Sequence, residues 1–528
     1  MKHLFSLSLN TWTTRSYWML ALCAITLSQP ENGFASDPSF PHELVSRALV
    51  DLGAGRDVKA ISSITVEGKE ITQDLVESDH PLAPPFYTRS TNSIRRSYDF
   101  ERQVQSSEVT DGPGHSISLL SHDFSAVVDR KEPAATRQVG AAPPSWTVRD
   151  PIAALRLAAH SNDLTLQPDI VWHGALQHVV SFHDGRYPVR IFLNAATGLP
   201  DAVESVVTYD DQHMAEAIAW NALGDVVERT EYQNWSFVDG IRYPLQQDRL
   251  RNGQLIWTLA IASARLNDPV DAHELALLAP PPFQPASVQD LSPAQRVPGG
   301  PYPDKPIAEI APGVVQIPNS WYSVIVRQAD GLVIIDAPIS SGYSKGVLEE
   351  AAKRFPGIPV KALVTSTGFF WHVAGVREYA ARGIPIYAEA RNVPVLLQML
   401  AAPHTLAPDD LSQEMRAPSQ VIPITDRTVI GGGPNAIQVY PITRATQPML
   451  MTYIQDAHLL HTGEMVQPLG PGGSILFPES LIELTETVEA DHLPVETIIG
   501  MHMSPTPWSA VGESLRAAGA TASRTPKP

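Results

Sequence analysis

The sequence predicts an α+β protein, and three observations along the chain carry this prediction. Residues 60–266 alternate polar and apolar positions in short segments separated by tight-turn dipeptides, which is typical of antiparallel sheets. Residues 279–305 are crowded with proline and read as an extended linker. From Ile307 onward, apolar strand-like runs alternate with helical segments. We therefore expect an antiparallel β-sheet domain with few helices over 36–278 and a layered domain over 306–528.

The composition restricts the function before any motif is considered. The chain has 528 residues, enough for two or three domains, and a formal net charge of -18. No basic stripe is available to neutralise phosphates, so nucleic acid is excluded as a partner. The single cysteine, Cys23, lies in an N-terminal apolar run. If that run is removed, a thiolate nucleophile and a cysteine metal ligand are excluded as well.

The first 35 residues have the pattern of a signal peptide. Lys2 and Arg15 precede the apolar run Trp18 to Leu27, and Gly33-Phe34-Ala35 supplies small residues before Ser36. The run is about half the length that crosses a bilayer. We expect residues 1–35 to be cleaved, no transmembrane segment to remain, and the protein to be periplasmic or secreted by a bacterium.

The predicted elements of the first domain follow from turn chemistry and periodicity. Gly53 and Gly55 end an amphipathic helix, and Asp, Asn and Gly pairs separate the strands. The predicted helices are Pro41–Leu52 and Arg149–Asn162. The predicted strands are Ala60–Ile71, Ser93–Val104, Ser116–Val128, Ile170–Gly174, Gln177–His183, Tyr187–Asn194, Pro200–Tyr209, Asp225–Trp235, Ile241–Arg251 and Gln254–Leu266.

This strand order, together with the phrase from Leu193 to Pro200, resembles the half-open sheet of periplasmic lipoprotein-carrier proteins. The resemblance implies a curved sheet that shelters an apolar ligand. A structural domain with no ligand of its own is the alternative interpretation.

The second domain begins with a different pattern, in which strands alternate with helices. The predicted strands are Val314–Ile317, Ser323–Gln328, Gly331–Asp336, Val360–Thr365, Ile384–Ala388, Arg427–Ile430, Ile437–Pro441, Met449–Gln455 and Leu459–His461. The predicted helices are Gly346–Arg354, Val373–Arg382 and Val393–Met399.

The stretch from Leu363 to Tyr379 carries the main signal in this domain. A strand runs into a loop and a helix, and its letters resemble the His-x-His-x-Asp-His signature of the metallo-β-lactamase superfamily. On that pattern Thr367 and Phe369 occupy the first two histidine positions, Trp371 occupies the aspartate position, and His372 keeps its type. The resemblance implies an αββα sandwich in which three of these four ligand positions have been replaced.

Four further positions match the superfamily in part. Ala445 stands where another histidine ligand belongs, and Glu464 stands where an aspartate ends the usual Thr-Gly-Asp segment. His502 keeps its histidine, and Asp336 ends the strand that brings a supporting aspartate under the metal site. One half of the site is therefore better preserved than the other.

The resemblance assigns His372, Glu464 and His502 to a single metal ion. Two imidazoles and one carboxylate are a sufficient set for one Zn²⁺ or Fe²⁺, with positions left for water and substrate. No side chain is assigned a role in catalysis beyond the metal-bound water. The expected pocket is formed by Thr367, Phe369, Phe370, Trp371, Asp336 and Ala445.

Two functions remain open from the sequence. The first is an exported metal-dependent hydrolase of a small ester, amide or lactone. The alternative is an inactive pseudoenzyme that binds an apolar or cell-envelope ligand or acts as a scaffold, with Phe369, Phe370 and Trp371 as stacking surfaces. In that case His372 and His502 have hydrogen-bonding roles and Glu464 caps a loop.

Overall fold

We describe the protein from a computed structural model of the chain. The described residues are 40–73, 89–111, 114–121, 124–129, 132–139, 149–208, 223–268, 306–318, 321–413, 419–444, 448–466 and 478–517. The predicted signal peptide and the predicted linker, residues 279–305, lie outside them, so both stay predictions. In the described part of the chain, no helix has the length and apolar character needed to cross a bilayer.

The alternating segments between Ser63 and Leu266 form one antiparallel sheet. It contains thirteen strands in the order β6-β5-β4-β3-β2-β1-β13-β12-β11-β10-β9-β8-β7. Their bounds are β1 Ser63–Gln73, β2 Arg89–Asp99, β3 Val104–Asp111, β4 Gly114–Ser121, β5 Phe124–Asp129, β6 Glu132–Val139, β7 Thr165–Trp172, β8 Ala175–Asp184, β9 Tyr187–Asn194, β10 Pro200–Thr208, β11 Asp225–Val238, β12 Ile241–Arg251 and β13 Gln254–Leu266.

Two helices fill one face of this sheet. Helix α1 spans Phe40–Gly53 and helix α2 spans Pro151–His160. Asp150 caps α2, since its Oδ1 accepts hydrogen bonds from the backbone amides of Ile152 and Ala153 at 2.8 and 3.0 Å. The hydroxyl of Tyr243, on β12, donates to Asp150 Oδ2 at 2.6 Å. The cap is therefore also a tie between helix and sheet.

Two predicted strands each span the junction of two observed strands, and a third, Ile170–Gly174, covers only the end of β7, Thr165–Trp172. The segment Ser93–Val104 contains a turn, because Asp99 Oδ1 accepts the backbone amides of Glu101 and Arg102 at 3.0 and 2.8 Å. Gln103 then has a φ of 52°, so the chain reverses between β2 and β3. The segment Ser116–Val128 likewise divides between β4 and β5. Local turn chemistry overrides the apolar alternation in the first case.

The region after Ile307 forms two smaller mixed sheets. A sheet of seven strands has the order β14-β15-β16-β17-β18-β19-β20, and a sheet of six has the order β21 to β26. The bounds are β14 Ala308–Ala311, β15 Val314–Ile317, β16 Ser323–Gln328, β17 Gly331–Ile335, β18 Val360–Thr365, β19 Ile386–Glu389, β20 Val421–Ile424, β21 Thr428–Ile430, β22 Ile437–Ile442, β23 Met449–Ile454, β24 Leu459–His461, β25 Thr497–Gly500 and β26 Met503–Pro507. Strands β17 to β20 run parallel, as do β24 and β25.

Seven described helices accompany these sheets: α3 Ser341–Arg354, α4 Phe370–Val373, α5 Val376–Ala381, α6 Val393–Ala401, α7 Asp410–Gln413, α8 Pro478–Ala490 and α9 Ser509–Ala517. The predicted helix Val373–Arg382 is interrupted at Gly375. A Cβ on Gly375 would lie 2.1 Å from the Ser344 hydroxyl, so only glycine allows this close approach to α3.

Three apolar clusters lie on the faces of the two mixed sheets. The cluster between them joins Val326, Val333 and Val364 of the first to Ile437, Leu450 and Ile499 of the second. A second cluster packs α3, α5 and α6 against the other face of the seven-stranded sheet. A third packs α8 and α9 against the other face of the six-stranded sheet.

The antiparallel sheet contacts the region after Ile307, and all described residues belong to one compact unit. Asp225, at the start of β11, accepts hydrogen bonds from the Thr405 amide at 2.9 Å, the Thr405 hydroxyl at 2.6 Å and the Leu406 amide at 3.2 Å. Its own amide donates to the Pro403 carbonyl at 2.7 Å. Beside this contact lies a shared apolar cluster of Tyr187, Val207 and Val226 with Leu223, Ile256, Phe370, Trp371 and Leu406.

Candidate metal centre

Three of the predicted site residues follow strands that end at the same edge of their sheets. His372 follows β18, which is buried and lies parallel to β17 and β19. Glu464 follows β24 and His502 follows β25, and these two strands are parallel to one another. Because the carboxyl ends of parallel strands lie together, the fold collects ligands at this edge.

His372, Glu464 and His502 meet there. One ligand atom from each residue lies within 4.8 Å of the other two. His372 Nδ1 is 3.1 Å from Glu464 Oε2, and His502 Nε2 is 3.6 Å from Glu464 Oε1. The side chains of His372 and Glu464 are buried, whereas that of His502 is 18% exposed. The centre is thus largely enclosed, and part of the His502 ring, although not its Nε2, reaches solvent.

Three of the four histidine nitrogens at this centre are buried without hydrogen bonds. Both ring nitrogens of His372, and Nε2 of His502, have no hydrogen-bond partner in the described structure. A buried polar atom left unpaired costs about 1–3 kcal/mol. A tetrahedral Zn²⁺ bound at about 2.0–2.2 Å holds its ligand atoms roughly 3.4 Å apart. The observed separations of 3.1 and 3.6 Å, measured to the two oxygens of Glu464, lie on either side of that value, so each histidine stands at a distance from Glu464 that a shared metal ion allows.

The turn that presents Glu464 depends on Gly463. Gly463 has a φ of 57°, and a Cβ there would lie 2.8 Å from the Ser366 hydroxyl. Its carbonyl accepts the Met501 amide at 2.9 Å, and the Thr462 amide donates to Ile499 at 2.9 Å. These hydrogen bonds continue the pairing of β24 with β25 beyond the strand ends. Glu464 and His502 are therefore held on one rigid support.

Aromatic rings enclose His372. The ring centroid of Trp321 lies 5.6 Å from that of His372 and 6.4 Å from that of His502, both in edge-to-face geometry. Phe369 lies 5.7 Å from His372 on another side and is itself buried. This apolar wall lowers the local dielectric and leaves few competing polar partners.

The other predicted pocket residues have different positions. Phe370 and Trp371 pack against the antiparallel sheet in the shared apolar cluster. The 3.1 Å contact between His372 and Glu464 leaves no space for the Trp371 indole between them. Thr367 is buried and its hydroxyl accepts the Phe369 amide at 3.3 Å. Ala445 lies outside the described residues.

Asp336 belongs to a second polar cluster beneath the site. Its Oδ1 accepts the Ser366 amide at 2.6 Å and its Oδ2 accepts the Ser366 hydroxyl at 2.8 Å. His461 Nε2 lies 3.5 Å from Asp336 Oδ2, and His461 Nδ1 accepts the Gly463 amide at 3.2 Å. Burial raises the pKa of Asp336 to about 7, although the Ser366 hydrogen bonds lower it, and burial lowers the pKa of His461 to about 3. The pair is therefore uncharged near pH 6.

Sequence reasoning missed Trp321, Ser366 and His461. Their positions relative to the strands could have identified them. Ser366 directly follows β18, His461 is the last residue of β24, and Trp321 lies two residues before β16 begins. All three lie near strand ends, where ligand sites form in layered α/β folds.

Comparison with solved structures returns metallo-β-lactamases. The DIM-1 metallo-β-lactamase is 13% identical with a TM-score of 0.33, over 42% of this chain and 99% of that chain. A metallo-β-lactamase from Pontibacter korlensis is 15% identical with a TM-score of 0.32, over 41% and 99%. The mono-zinc form of FIM-1 from Pseudomonas aeruginosa is 13% identical with a TM-score of 0.32, over 42% and 97%. No family model and no curated protein matches the sequence.

Proposed function

We propose that the protein is a metal-dependent hydrolase of the metallo-β-lactamase superfamily that uses one divalent ion. The observation that carries this proposal is His372, a fully buried imidazole whose two nitrogens lack hydrogen bonds beside a carboxylate and a second imidazole. Such an environment is unfavourable for a structural histidine and favourable for a metal ligand. Zn²⁺ or Fe²⁺ is the expected ion.

The proposed fold is the αββα sandwich of that superfamily. Its support is the arrangement of the three apolar clusters, with one between the two mixed sheets and one beneath the helices on each outer face. The ligand-bearing loops all lie at strand ends of these two sheets.

A bound ion would polarise a carbonyl or ester oxygen and lower the pKa of water. The chain's own side chains supply the surroundings for that chemistry. Glu464 places its two carboxylate oxygens 3.1 and 3.6 Å from the histidine nitrogens, and Trp321 and Phe369 exclude water around His372. The partly exposed His502 ring marks the side from which substrate is proposed to enter. A small ester, amide or lactone is the proposed substrate.

The binding-protein alternative is less well supported. It requires aromatic rings that are free to stack on a ligand, yet Phe370 and Trp371 pack in part against the antiparallel sheet, and Trp371 also packs edge-to-face on Trp321 with ring centroids 5.9 Å apart. Phe369 is buried against His372. We also propose export to a bacterial periplasm or medium, on the support of the N-terminal sequence pattern alone.

Elemental analysis of the purified protein tests the proposal. We expect about one zinc or iron ion per chain, lost in His372→Ala and kept in His183→Ala, which removes an exposed histidine of the antiparallel sheet. Hydrolysis of ester, anilide and lactone probes is expected to follow the metal content. Absence of metal from protein that has never met a chelator would refute the proposal.

A further inference from the structure

A cavity of about 430 Å³ lies between the two helices of the antiparallel sheet and the turn that joins β2 to β3. Its apolar walls are formed by Leu49 of α1, Phe100 and Val104 near the turn, and Leu157 of α2. Ligand cavities in proteins commonly enclose about 300–1,000 Å³. The space is therefore sufficient for a small organic molecule, and it is built from residues distinct from those of the metal centre.

The polar lining of the cavity includes two cationic side chains, Lys59 and Arg156, beside Tyr98, Gln103, His160 and Asp99. Lys59, Arg156 and His160 line it, and none of them forms an ion pair with a described carboxylate. Asp99 is the carboxylate that lines it, and Arg102 Nη1 already pairs with Asp99 Oδ2 at 2.6 Å. The backbone amides of Glu101 and Arg102 also donate to Asp99. The carboxylate of Asp99 is thus paired with groups of the turn and not with the cations of the cavity.

Arg156 is the central feature of this cavity. One end of its guanidinium, Nη2, donates to the carbonyls of Val58 and Ile61, and its carbon Cζ lies 4.9 Å from the centre of the Phe100 ring. Its Nε is buried without a hydrogen-bond partner in the described structure. The carboxylates of Asp150, Asp57 and Glu101 act on Arg156 at longer range, but none of them forms an ion pair with it. A guanidinium held in a fixed position, partly desolvated and without a carboxylate in direct contact can pair with an anion. Burial also lowers the pKa of Arg156.

The cations of the cavity contrast with the negative net charge of the chain, and this contrast restricts the class of ligand. A chain with a formal net charge of -18 repels free anions, so inorganic phosphate gains little from the two local cations, Lys59 and Arg156. A ligand that also buries an apolar body gains about 25 cal/mol for each Å² removed from water. An anionic group joined to a compact apolar body satisfies both parts of the cavity.

We propose that this cavity is a second binding site, for a small amphipathic organic anion, with Arg156 and Lys59 pairing to its charged group. The shared chemistry of the charged group is a planar or tetrahedral oxyanion, which Arg156 Nη1 and the Lys59 ammonium bind through charge-assisted hydrogen bonds, since Nη2 is occupied by the two carbonyls. Carboxylates and phosphomonoesters both present it.

Titration calorimetry with four eight-carbon probes tests the proposal on the full chain. Octanoate or octyl phosphate is expected to bind at least 10-fold more tightly than 1-octanol, and octyltrimethylammonium is expected not to bind. Tighter binding of octanoate identifies a carboxylate ligand, whereas tighter binding of octyl phosphate identifies a phosphomonoester. Equal affinity for octanol and the anions, or no binding of any probe, would overturn the proposal.

Charge-removing variants give the matched comparison. Lys59→Met is expected to weaken binding of the preferred anion about 3- to 10-fold, and Arg156→Met by more than 10-fold. Lys69→Met removes the same charge on β1, where Lys69 contacts Ser93, and is expected to leave affinity unchanged. Since Arg156 also holds two carbonyls, a failure of Arg156→Met to fold leaves Lys59→Met as the deciding variant. If Lys59→Met binds as tightly as Lys69→Met, the proposal is wrong. Removing metal with a chelator is expected to leave this binding unchanged, so its outcome is separate from that of the hydrolase proposal.

Discussion

His372 Nδ1 and Glu464 Oε2 lie 3.1 Å apart although they follow strands of different sheets. Both side chains are almost completely buried. An imidazole and a carboxylate in this environment form either an isolated polar pair or two thirds of a metal centre, and the third donor, His502, favours the second interpretation.

Replacing Glu464 by glutamine tests that interpretation. The amide keeps the shape of the side chain but removes its charge, so we expect zinc affinity to fall at least 100-fold and hydrolysis to fall with it. Competition with a chromogenic chelator measures the affinity. Glu479→Gln, an exposed change at the start of α8, is the control. Unchanged zinc affinity in Glu464→Gln would show that this carboxylate is not a ligand.

The Asp336 and His461 pair predicts an unusual pH dependence in metal-free protein. His461 has a folded pKa of about 3 against 6.5, so its contribution to stability is lost as pH falls from 6.5. Asp336 has a folded pKa of about 7 against 3.8, so its contribution is lost as pH rises. Between about pH 4 and 6.5 the folded and unfolded pair bind the same number of protons, and the two slopes cancel.

In Asp336→Asn, only His461 is therefore expected to contribute to the pH dependence of the free energy of unfolding between about pH 4 and 6.5. The free energy of unfolding of this variant relative to wild type is expected to fall by about 1.4 kcal/mol for each pH unit from 6.5 down to about 4. Urea unfolding in the presence of a chelator measures this difference. Asp330→Asn, at an exposed position beside Lys361, is expected to run parallel to wild type in that range. A parallel curve for Asp336→Asn would contradict the assigned protonation.

Asp225 is expected to hold the antiparallel sheet against the loop at Thr405. Asp225→Ala removes the acceptor of three hydrogen bonds and is expected to cost about 1–3 kcal/mol of stability. Hydrogen exchange is expected to speed up at the amides of Thr405 and Leu406. Asp169→Ala, which removes an exposed partner of His178, serves as the control. Equal exchange in both variants would mean that Asp225 does not secure this loop.

Arg377 is expected to be one of the most sensitive positions for stability. It is 3% exposed, it pairs with Asp409, and its Nη1 donates to the carbonyls of Met399, Leu400 and Ala402 at the end of α6. Burial alone would raise the pKa of Asp409, but hydrogen bonds and charge from Arg377 lower it to about 2. Arg377→Met leaves this carboxylate buried without its partner.

We expect Arg377→Met to lower the free energy of unfolding by about 3–5 kcal/mol. Denaturant titration measures the change, with Lys353→Met as the exposed comparison, since its partner Glu350 keeps the ion pair with Arg354. A loss below about 1 kcal/mol would show that the pair contributes little.

Most strands could be predicted from the sequence because the signals for them, turn dipeptides and alternating apolar residues, are each contained within a few neighbouring residues. Strands Tyr187–Asn194, Ile241–Arg251 and Gln254–Leu266 are confirmed to the residue. Strand Val421–Ile424 was missed because Pro423 interrupts its pattern, and β25 was missed because only Ile498 and Ile499 mark it.

In the candidate site, too, the sequence predicted which residues take part but not how they are arranged in space. Residue type and position selected His372, Glu464 and His502, since each stands at a position of the superfamily pattern. Their distances, and the approach of Trp321, depend on how two sheets pack, which no local spacing encodes. The orientation of Trp371 toward the antiparallel sheet depends on a surface formed by strands far away in sequence.

The pairing of β1 with β13 is expected to set the order in which the sheet is completed during folding. Ile64 lies opposite Leu266, so the central strand pair joins the beginning of the sheet to its end, whereas most other neighbours in the sheet are hairpins. Until β13 has been synthesised, one edge of β1 has no partner and is exposed to other chains. Refolding is expected to be limited by this late closure and to become less efficient as protein concentration rises, because long-range strand pairing is slow.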